Sequence, residues 1–343
     1  MTRRLVTRPA IILIDLLLFA IAGCAGPVNC RSDRHICVGL VTDRGGIADG
    51  GLNSESWDAI QTTIREGSIR RADYIETLDA RDYRKNAAYF VRQGYDVVVS
   101  VGASQGDVTA AAAASSPTVL FVGVEQVHVE QMANLVDIQA PHDQIGFLAG
   151  WLAATLSRTG TIAAVCEEAS LERIWLACEG FRAGAAYAKP AVRPLVRYRD
   201  DRPDSLLFAD VEWAAATSRG LLELGADVIF GVGGATGTAA LREAGRAGVY
   251  TIGSERDQWP FIPEARETLL TSFYPDPGES LEVTLRRRAA GELGPPLLQG
   301  GVAIAPFHDM EPSIPEDVRL RLLVLQRQLK AGEIQTGVDF PTS

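Results

Sequence analysis

The chain has little of what metal, nucleotide-phosphate or nucleic-acid chemistry requires. Its five cysteines include no C-x-x-C pair, and none of its four histidines, His35, His128, His142 and His308, stands at metal-ligand spacing from another, so a zinc site has no ligand set. Lysine and arginine number 33 against 43 aspartates and glutamates, a net charge of −10 with no concentrated basic face. That balance argues against nucleic acid or an anionic membrane surface as the main partner. The run Gly231-Val-Gly-Gly-Ala-Thr-Gly-Thr lacks the lysine of a phosphate-binding loop, and Thr236 stands where the dinucleotide pattern needs its third glycine. It reads as a tight strand-to-helix turn, with Thr236 as a candidate ligand contact. Neither Ser100 nor Ser104 has an evident histidine partner, so a serine nucleophile has little support, and Ser104 stands only as a candidate contact. Glu167 and Glu168 are neighbours whose side chains are expected to point apart, which removes them as an acid/base pair. Nothing calls for a cofactor.

What is present is an ample core and a repeated unit. At 343 residues, 47% hydrophobic and 22% charged, the chain exceeds the size at which one core keeps growing, so two lobes are expected. From Cys37 onward, apolar runs rich in β-branched residues alternate with helical stretches. Runs such as Asp96-Val-Val-Val-Ser-Val and Thr118-Val-Leu-Phe-Val-Gly show no polar alternation, as strands covered on both faces do. The pattern predicts strands at 37–42, 73–78, 96–101, 118–123 and 134–138, then a restart after Pro141 with strands at 161–165, 193–198, 226–231, 248–253 and 268–273. Helices fill the intervals, one of them over 207–224. A helix at 276–291, a hairpin within 292–306 and a terminal helix at 313–331 complete the chain. The fold class is α/β, two doubly wound parallel-sheet lobes.

The stretch from Cys37 to Ile60 reads as strand, glycine-rich loop and helix. Ligands of open α/β sheets sit at the carboxyl ends of strands, so Asp43, Asp49 and Asn53 in that loop are candidate contacts. Trp57 falls at helical spacing with Ile60 and Ile64 and reads as core. At the N-terminus, Arg3, Arg4 and Arg8 precede an apolar segment over 10–22 that is short for a membrane span. Ile21-Ala22-Gly23-Cys24 closes it and resembles a bacterial lipobox. The resemblance implies a signal peptide over 1–23, lipidation of Cys24 and a tether over 24–36. In an exported protein Cys30 with Cys37, or Cys166 with Cys178, could pair as disulfides, and spacing does not decide between pairs and free thiols.

The motif V-T-D-R-G-G-I-A-D-G-G-L-N-S-E-S-W-D-A resembles the opening of the basic membrane protein family of lipoproteins, purine-nucleoside receptors of ABC transporters. Asp43, Gly45, Gly46, Asp49, Asn53 and Trp57 align with it without a gap. Residues 134–154 resemble the family's hinge and helix, and Glu179-Gly-Phe-Arg-Ala-Gly-Ala a later segment. The resemblance implies a type I periplasmic-binding-protein fold with a hinge, its lobes formed by 37–139 with 270–293 and by 140–269 with 294–343. It implies Glu255 as a carboxylate gripping ligand hydroxyls. Leu52 takes the place of an aromatic that stacks on the base, and Pro275 that of a lysine. Trp259, directly after the Glu255 loop, is a candidate replacement for the stacking face.

Asp43, Asn53 and Glu255 together suit a neutral, polyhydroxyl or N–H-rich molecule better than an anion. The expected function is therefore a lipid-anchored solute-binding protein that captures a small polar, nucleoside-like ligand between its lobes. It would deliver that ligand to an ABC permease with its ATPase. A sensor of the same fold signalling to a membrane partner, and an exported nucleoside or sugar hydrolase using Asp43 or Asp49, are the alternatives.

Overall fold

The computed structural model describes Cys30 and residues 36–200, 202–292 and 295–341. The expected signal peptide, the lipidated Cys24 and nearly all of the tether lie outside the described residues. In the first sheet, strands β1 (Cys37–Val41), β2 (Arg71–Ile75), β3 (Val97–Val101), β4 (Leu120–Val124) and β5 (Leu135–Gln139) are joined by helices α1 (Leu52–Arg65), α2 (Tyr83–Gln93) and α3 (Gly106–Ser115). β1, β3 and β4 are buried along their whole length, which is why their sequences are unbroken apolar runs.

The second sheet begins after helix α4 (His142–Leu156). Strands β6 (Thr161–Cys166), β7 (Arg193–Tyr198), β8 (Val228–Val232), β9 (Tyr250–Ser254) and β10 (Leu269–Asp276) alternate with α5 (Glu172–Ala188), α6 (Val211–Glu223) and α7 (Gly234–Arg246). Helix α8 (Gly278–Ala289), strands β11 (Leu297–Gln299) and β12 (Gly301–Ile304), and helix α9 (Glu316–Lys330) follow. The strand orders are β11-β5-β4-β3-β1-β2 and β12-β10-β9-β8-β6-β7, parallel throughout except for β12 against β10. Each sheet is covered on both faces. Ile60, Leu281 and Leu285 pack on one side of the first and Phe90, Tyr83 and Ala87 on the other.

Strand pairing departs from the expected partition in two places. β10 lies in the second sheet, between β9 and β12, while α8 packs on α1 and β11 extends the first sheet beside β5. The segment 292–306 is therefore no hairpin: β11 and β12 join different sheets, with Gly300 between them. The reason is steric. The Gly300 N–H donates to the Gln139 carbonyl at 2.7 Å, and a Cβ there would sit 3.0 Å from the Asp276 carbonyl oxygen. Three crossings, after β5, after β10 and at Gly300, thus run side by side with backbone against backbone. Both cysteine pairs are disulfides, Cys30 with Cys37 at the start of β1 and Cys166 at the end of β6 with Cys178 in α5.

In the second lobe α4 and α5 approach through reciprocal glycines. A Cβ at Gly146 or Gly150 would overlap the carbonyls of Ala177 and Phe181, and one at Gly180 or Gly184 those of Asp143 and Phe147. No rotamer relieves a backbone overlap, so Gly150→Ala and Gly184→Ala are expected to lose about 3 kcal/mol or more. Gly220, exposed within α6 with nothing near its missing Cβ, is the control: Gly220→Ala should add roughly 0.5–1 kcal/mol. Urea unfolding of the three variants checks both directions, and equal midpoints for all three would refute the close-approach account.

Candidate functional site

The loop after β1 is held by its own polar side chains. Asp43 Oδ1 accepts from the Gly45 N–H and from Asn53 Nδ2, both at 2.7 Å, while Asn53 Oδ1 accepts the Asp43 N–H at 3.1 Å. Asp49 accepts from the backbone of Gly51, Asn53 and Ser54, the Ser54 hydroxyl and Asn53 Nδ2, at 3.0–3.2 Å. It thereby caps α1, meeting two N–H groups that a helix start leaves unpaired. Asn53 is fully buried with its amide spent on this loop. Of the three expected contacts, Asp43 presents a free atom to the cavity: its Oδ2 has no hydrogen bond among the described residues.

Glu255 comes from the loop after β9. Its backbone is left-handed at φ 69°, and both carboxylate oxygens accept from the Gly234 N–H at 3.0–3.1 Å, at the start of α7. That placement suits a carboxylate, because a helix N-terminus carries partial positive charge. Next to it the two lobes touch. The Asp257 N–H donates to the Gly50 carbonyl at 3.0 Å, and Gly51 bridges to Arg256. A Cβ on Gly51 would lie 2.8 Å from the Glu255 carbonyl oxygen, so this contact requires glycine.

A cavity of about 610 Å³ lies between the lobes and is lined by Asp43, Asp49, Leu52 and Ser104 from the first and Glu255 from the second. Leu52 and Pro275, the two departures from the resembled pattern, both face it. A smaller cavity of about 320 Å³ opens beside the crossings, lined by Pro141, Gln144 and Gly300 among others. Asp276 and Gln299, the last residues of β10 and β11, also line it, but none of the expected contacts does.

Thr236 and Trp259 do not line the interlobe cavity. The buried Thr236 hydroxyl donates to Glu167 at 2.8 Å and accepts the Asp210 N–H at 3.0 Å, so it is used within the lobe. Trp259 stacks on His308 with ring centroids 4.8 Å apart, has the Arg266 guanidinium 4.3 Å from its ring, and donates to Asp309. It is a packed turn. Trp57 is half-buried against the first-lobe core and meets the exposed Tyr74 edge-on. Glu167 and Glu168 do not point apart either. Both pair with the fully buried Arg199, Glu167 through Nε and Glu168 through Nη2 at 2.8 Å.

The cavity also holds Tyr83, Glu125, His142, Arg173 and Phe208, none of them singled out from the sequence. Phe208 was expected inside a helix over 207–224, but α6 starts at Val211, capped by Asp210, whose carboxylate accepts the Trp213 N–H. The capping aspartate was the signal that could have freed Phe208 from the helix. At φ 60° Phe208 lines the cavity with the Arg173 guanidinium 5.1 Å from the centre of its ring, and its N–H is tied to Glu167 at 2.8 Å. Glu125, also left-handed at φ 57°, accepts the Ala140 N–H at 2.7 Å and pairs with His142 at 2.7 Å. Among the described residues, three of the four non-glycine residues with positive φ, Glu125, Phe208 and Glu255, therefore line one cavity. Strained backbone of this kind persists where the surroundings over-determine it, commonly at ligand clamps.

Burial pushes the Glu125 carboxyl up, but His142, the Ala140 N–H and Arg173 outweigh it and hold the group below its ordinary value of 4.5. A depressed carboxyl stabilises the fold above its unfolded pKa, and that contribution disappears as pH falls through the lower folded value. Glu125→Gln should therefore flatten the loss of stability that sets in as pH falls through the ordinary carboxyl value of 4.5 and below, read as urea midpoint against pH. Parallel acid limbs in variant and wild type would remove Glu125 from this role.

A profile described as "ABC transporter substrate-binding protein PnrA-like" matches residues 36–292. Over 243 residues the chain is 26% identical to a CD4+ T-cell-stimulating antigen of Listeria innocua, covering 67% of this chain and 65% of that protein. It is 25% identical over 273 residues to the ABC transporter nucleoside-binding protein BmpA of Lactococcus lactis, covering 75% of each. The match thus spans about two thirds to three quarters of these relatives. In structure it is similar to an ABC transporter solute-binding protein from Conexibacter woesei, with a TM-score of 0.71 at 22% identity over 89% of this chain and 99% of that one. The profile covers the two-sheet body from the first strand into α8 and, with it, the Asp43 loop and every residue named at the cavity, so the chain belongs to the Bmp family of PnrA-like ABC transporter substrate-binding proteins.

Proposed function

We propose that the chain is the solute-capturing component of an ABC importer, that its ligand is small, polar and nucleoside-like, and that lipidated Cys24 holds it at the outer face of the membrane. The observation that carries this reading is the cavity of about 610 Å³ between the lobes, with a carboxylate from each side, Asp43 and Glu255, and the ring of Phe208. A volume of that size falls in the range of small-molecule sites. Asp43 Oδ2 and the Glu255 carboxylate accept hydrogen bonds from sugar hydroxyls or ring N–H groups. Phe208, not Trp259, supplies the apolar face for a planar base opposite Leu52, and Ser104, paired with Tyr83 at 3.3 Å, adds a hydroxyl.

Capture works by population shift. A ligand that touches both lobes favours the closed arrangement, in which Gly50 meets Asp257, and the permease reads that state. The three parallel crossings form the hinge about which the lobes move. Because each lobe has its own core, closure moves the lobes as bodies and leaves their interiors unchanged.

A nucleoside panel tested by thermal shift should contain a binder, since ligand at about 100 times its Kd stabilises the native state by about 2.7 kcal/mol. Phe208→Ala should weaken that binder by about 1–3 kcal/mol, the worth of one base stacked on an aromatic ring. If inosine, guanosine, adenosine and the pyrimidine nucleosides all leave the midpoint unmoved, the ligand class is wrong. For the anchor, Cys24→Ser should move the protein from the membrane fraction to the soluble one; an unchanged distribution would defeat lipidation at that residue.

A further inference from the structure

The disulfide between Cys30 and Cys37 shortens the link between the first lobe and an anchor at Cys24. Cys37 opens β1, is fully buried, and holds Cys30 with the two Cα atoms 5.6 Å apart. Thirteen residues of chain lead from Cys24 to Cys37, a reach of about 45 Å when extended. Through the disulfide only the six from Cys24 to Cys30 count, about 20 Å. A bridge across so few residues removes less entropy from the unfolded chain than one that closes a long loop, so stability alone is a weak reason for it. Its position also decides which end of the lobe is held. β1 enters its sheet at Cys37, whereas the Asp43 loop and the interlobe cavity lie past its other end.

The strand-entry end of that lobe carries arginine. Arg65 closes α1, Arg70 precedes β2 and donates its N–H to the Ile36 carbonyl at 3.1 Å, and Arg286, Arg287 and Arg288 fill the last turn of α8. Hydrogen bonds place them together: Arg286 binds Glu66, just past α1, at 2.9–3.0 Å, and Arg288 reaches the Thr118 carbonyl, before β4, at 3.1 Å. The carboxylates at this end are occupied. Glu66, Glu282 and Glu292 each lie within 3.5 Å of Arg286 or Arg287, Asp73 pairs with Arg71, and Asp96 accepts the Cys37 N–H. Arg65, Arg70 and Arg288 form no ion pair among the described residues, and the first two are exposed.

Resting on the reading that Cys24 is lipidated, we propose that this end of the first lobe lies on the membrane, with Arg65, Arg70 and Arg288 against anionic lipid headgroups. The Cys30–Cys37 disulfide keeps the leash short enough to hold it there. At about 20 Å the leash is no longer than the six-stranded sheet is wide, about 24 Å at the usual strand spacing, so the lobe does not turn over above its anchor. The charge of −10 over the whole chain opposes the membrane as a main partner and orients the molecule on it, because the acidic remainder is repelled by the surface that attracts this end. The cleft, at the far end of the strands, stays clear of the lipid.

The test is arginine footprinting with a dicarbonyl reagent, read by peptide mass spectrometry, on the full chain carried by vesicles of phosphatidylcholine alone or with phosphatidylglycerol added. Arg65 and Arg70 are expected to react at least about fivefold more slowly on the anionic vesicles, the effect of roughly one arginine held at a charged surface. Arg321, exposed on α9 of the second lobe, should react alike on both, and raising salt from roughly 0.05 to 0.5 M should remove the difference. Two variants lengthen the leash: Cys30→Ser with Cys37→Ser, and a chain that keeps the disulfide but carries about ten flexible Gly/Ser residues between Gly26 and Pro27. Both should lose the protection, the second with β1 and its disulfide intact, so that reach alone has changed. Equal rates for Arg65 and Arg70 on the two kinds of vesicle would overturn the lipid contact. Protection that persists in the insertion variant would overturn the role of the disulfide. A chain absent from the vesicle fraction would instead defeat the lipidated anchor, and the inference with it.

Discussion

Close approach of α4 and α5 through four glycines is the constraint on which the second lobe, and with it the cleft, depends. Gly146 and Gly150 on one helix face backbone carbonyls of the other, and Gly180 and Gly184 return the contact, so the helices meet with nothing between them. Both helices begin at the cleft. His142 and Ile145 open α4, directly after the first crossing, while Arg173, Ile174 and Ala177 lie in the first turns of α5. The disulfide from Cys166 to Cys178 ties α5 to the end of β6, beside Glu167. The spacing of two helices is thereby converted into the placement of a histidine and an arginine in a binding cavity. A single methyl group in the seam would change that spacing.

The buried ion cluster extends the same logic to the far wall. Arg199 is removed from water completely and meets Glu167 and Glu168, with Asp210 3.8 Å away. A buried ion pair seldom adds stability over an apolar replacement, because desolvation costs about as much as the attraction returns. What this one does is positional. The second oxygen of Glu167 receives the Phe208 N–H and the Thr236 hydroxyl, fixing a loop whose residue at φ 60° would otherwise relax. Asp210 at once caps α6 and pairs with Arg202 at 3.0 Å. The cluster therefore sets the orientation of the one phenylalanine ring in the cleft.

Most of the fold was legible because fully covered strands and amphipathic helices leave strong periodic signals, and residues 37–254 read in the order in which they fold. The last crossings were not legible. A three-residue strand followed by Gly300 and a four-residue strand looks like a hairpin, since the sequence shows the turn but not the partners. Only the approach of Gly300 to Gln139 and Asp276 decides it. At the site, Asp43 was marked by its position at a strand end and Glu255 by the family resemblance, and both line the cavity. Thr236 and Trp259 misled because being next to a cleft loop in sequence does not make a side chain face the cleft. Phe208, Glu125 and His142 were invisible because two of the three need a positive φ or its equivalent fixed by distant partners, and no local pattern encodes that.

The polar groups of the cleft are satisfied largely by the fold itself. A folded protein satisfies its buried polar groups wherever it can, and the carboxylates around this cleft show it doing so, each supplied with donors from its own loop or helix end. The Arg173 guanidinium lies 5.1 Å from the centre of the Phe208 ring and helps hold the Glu125 carboxyl down. Positive φ at Glu125, Phe208 and Glu255 places conformational strain on the same surface. That strain sits where the two lobes meet and is held by hydrogen bonds from segments distant in sequence, the Ala140 N–H on Glu125, Glu167 on the Phe208 N–H and the Gly234 N–H on Glu255.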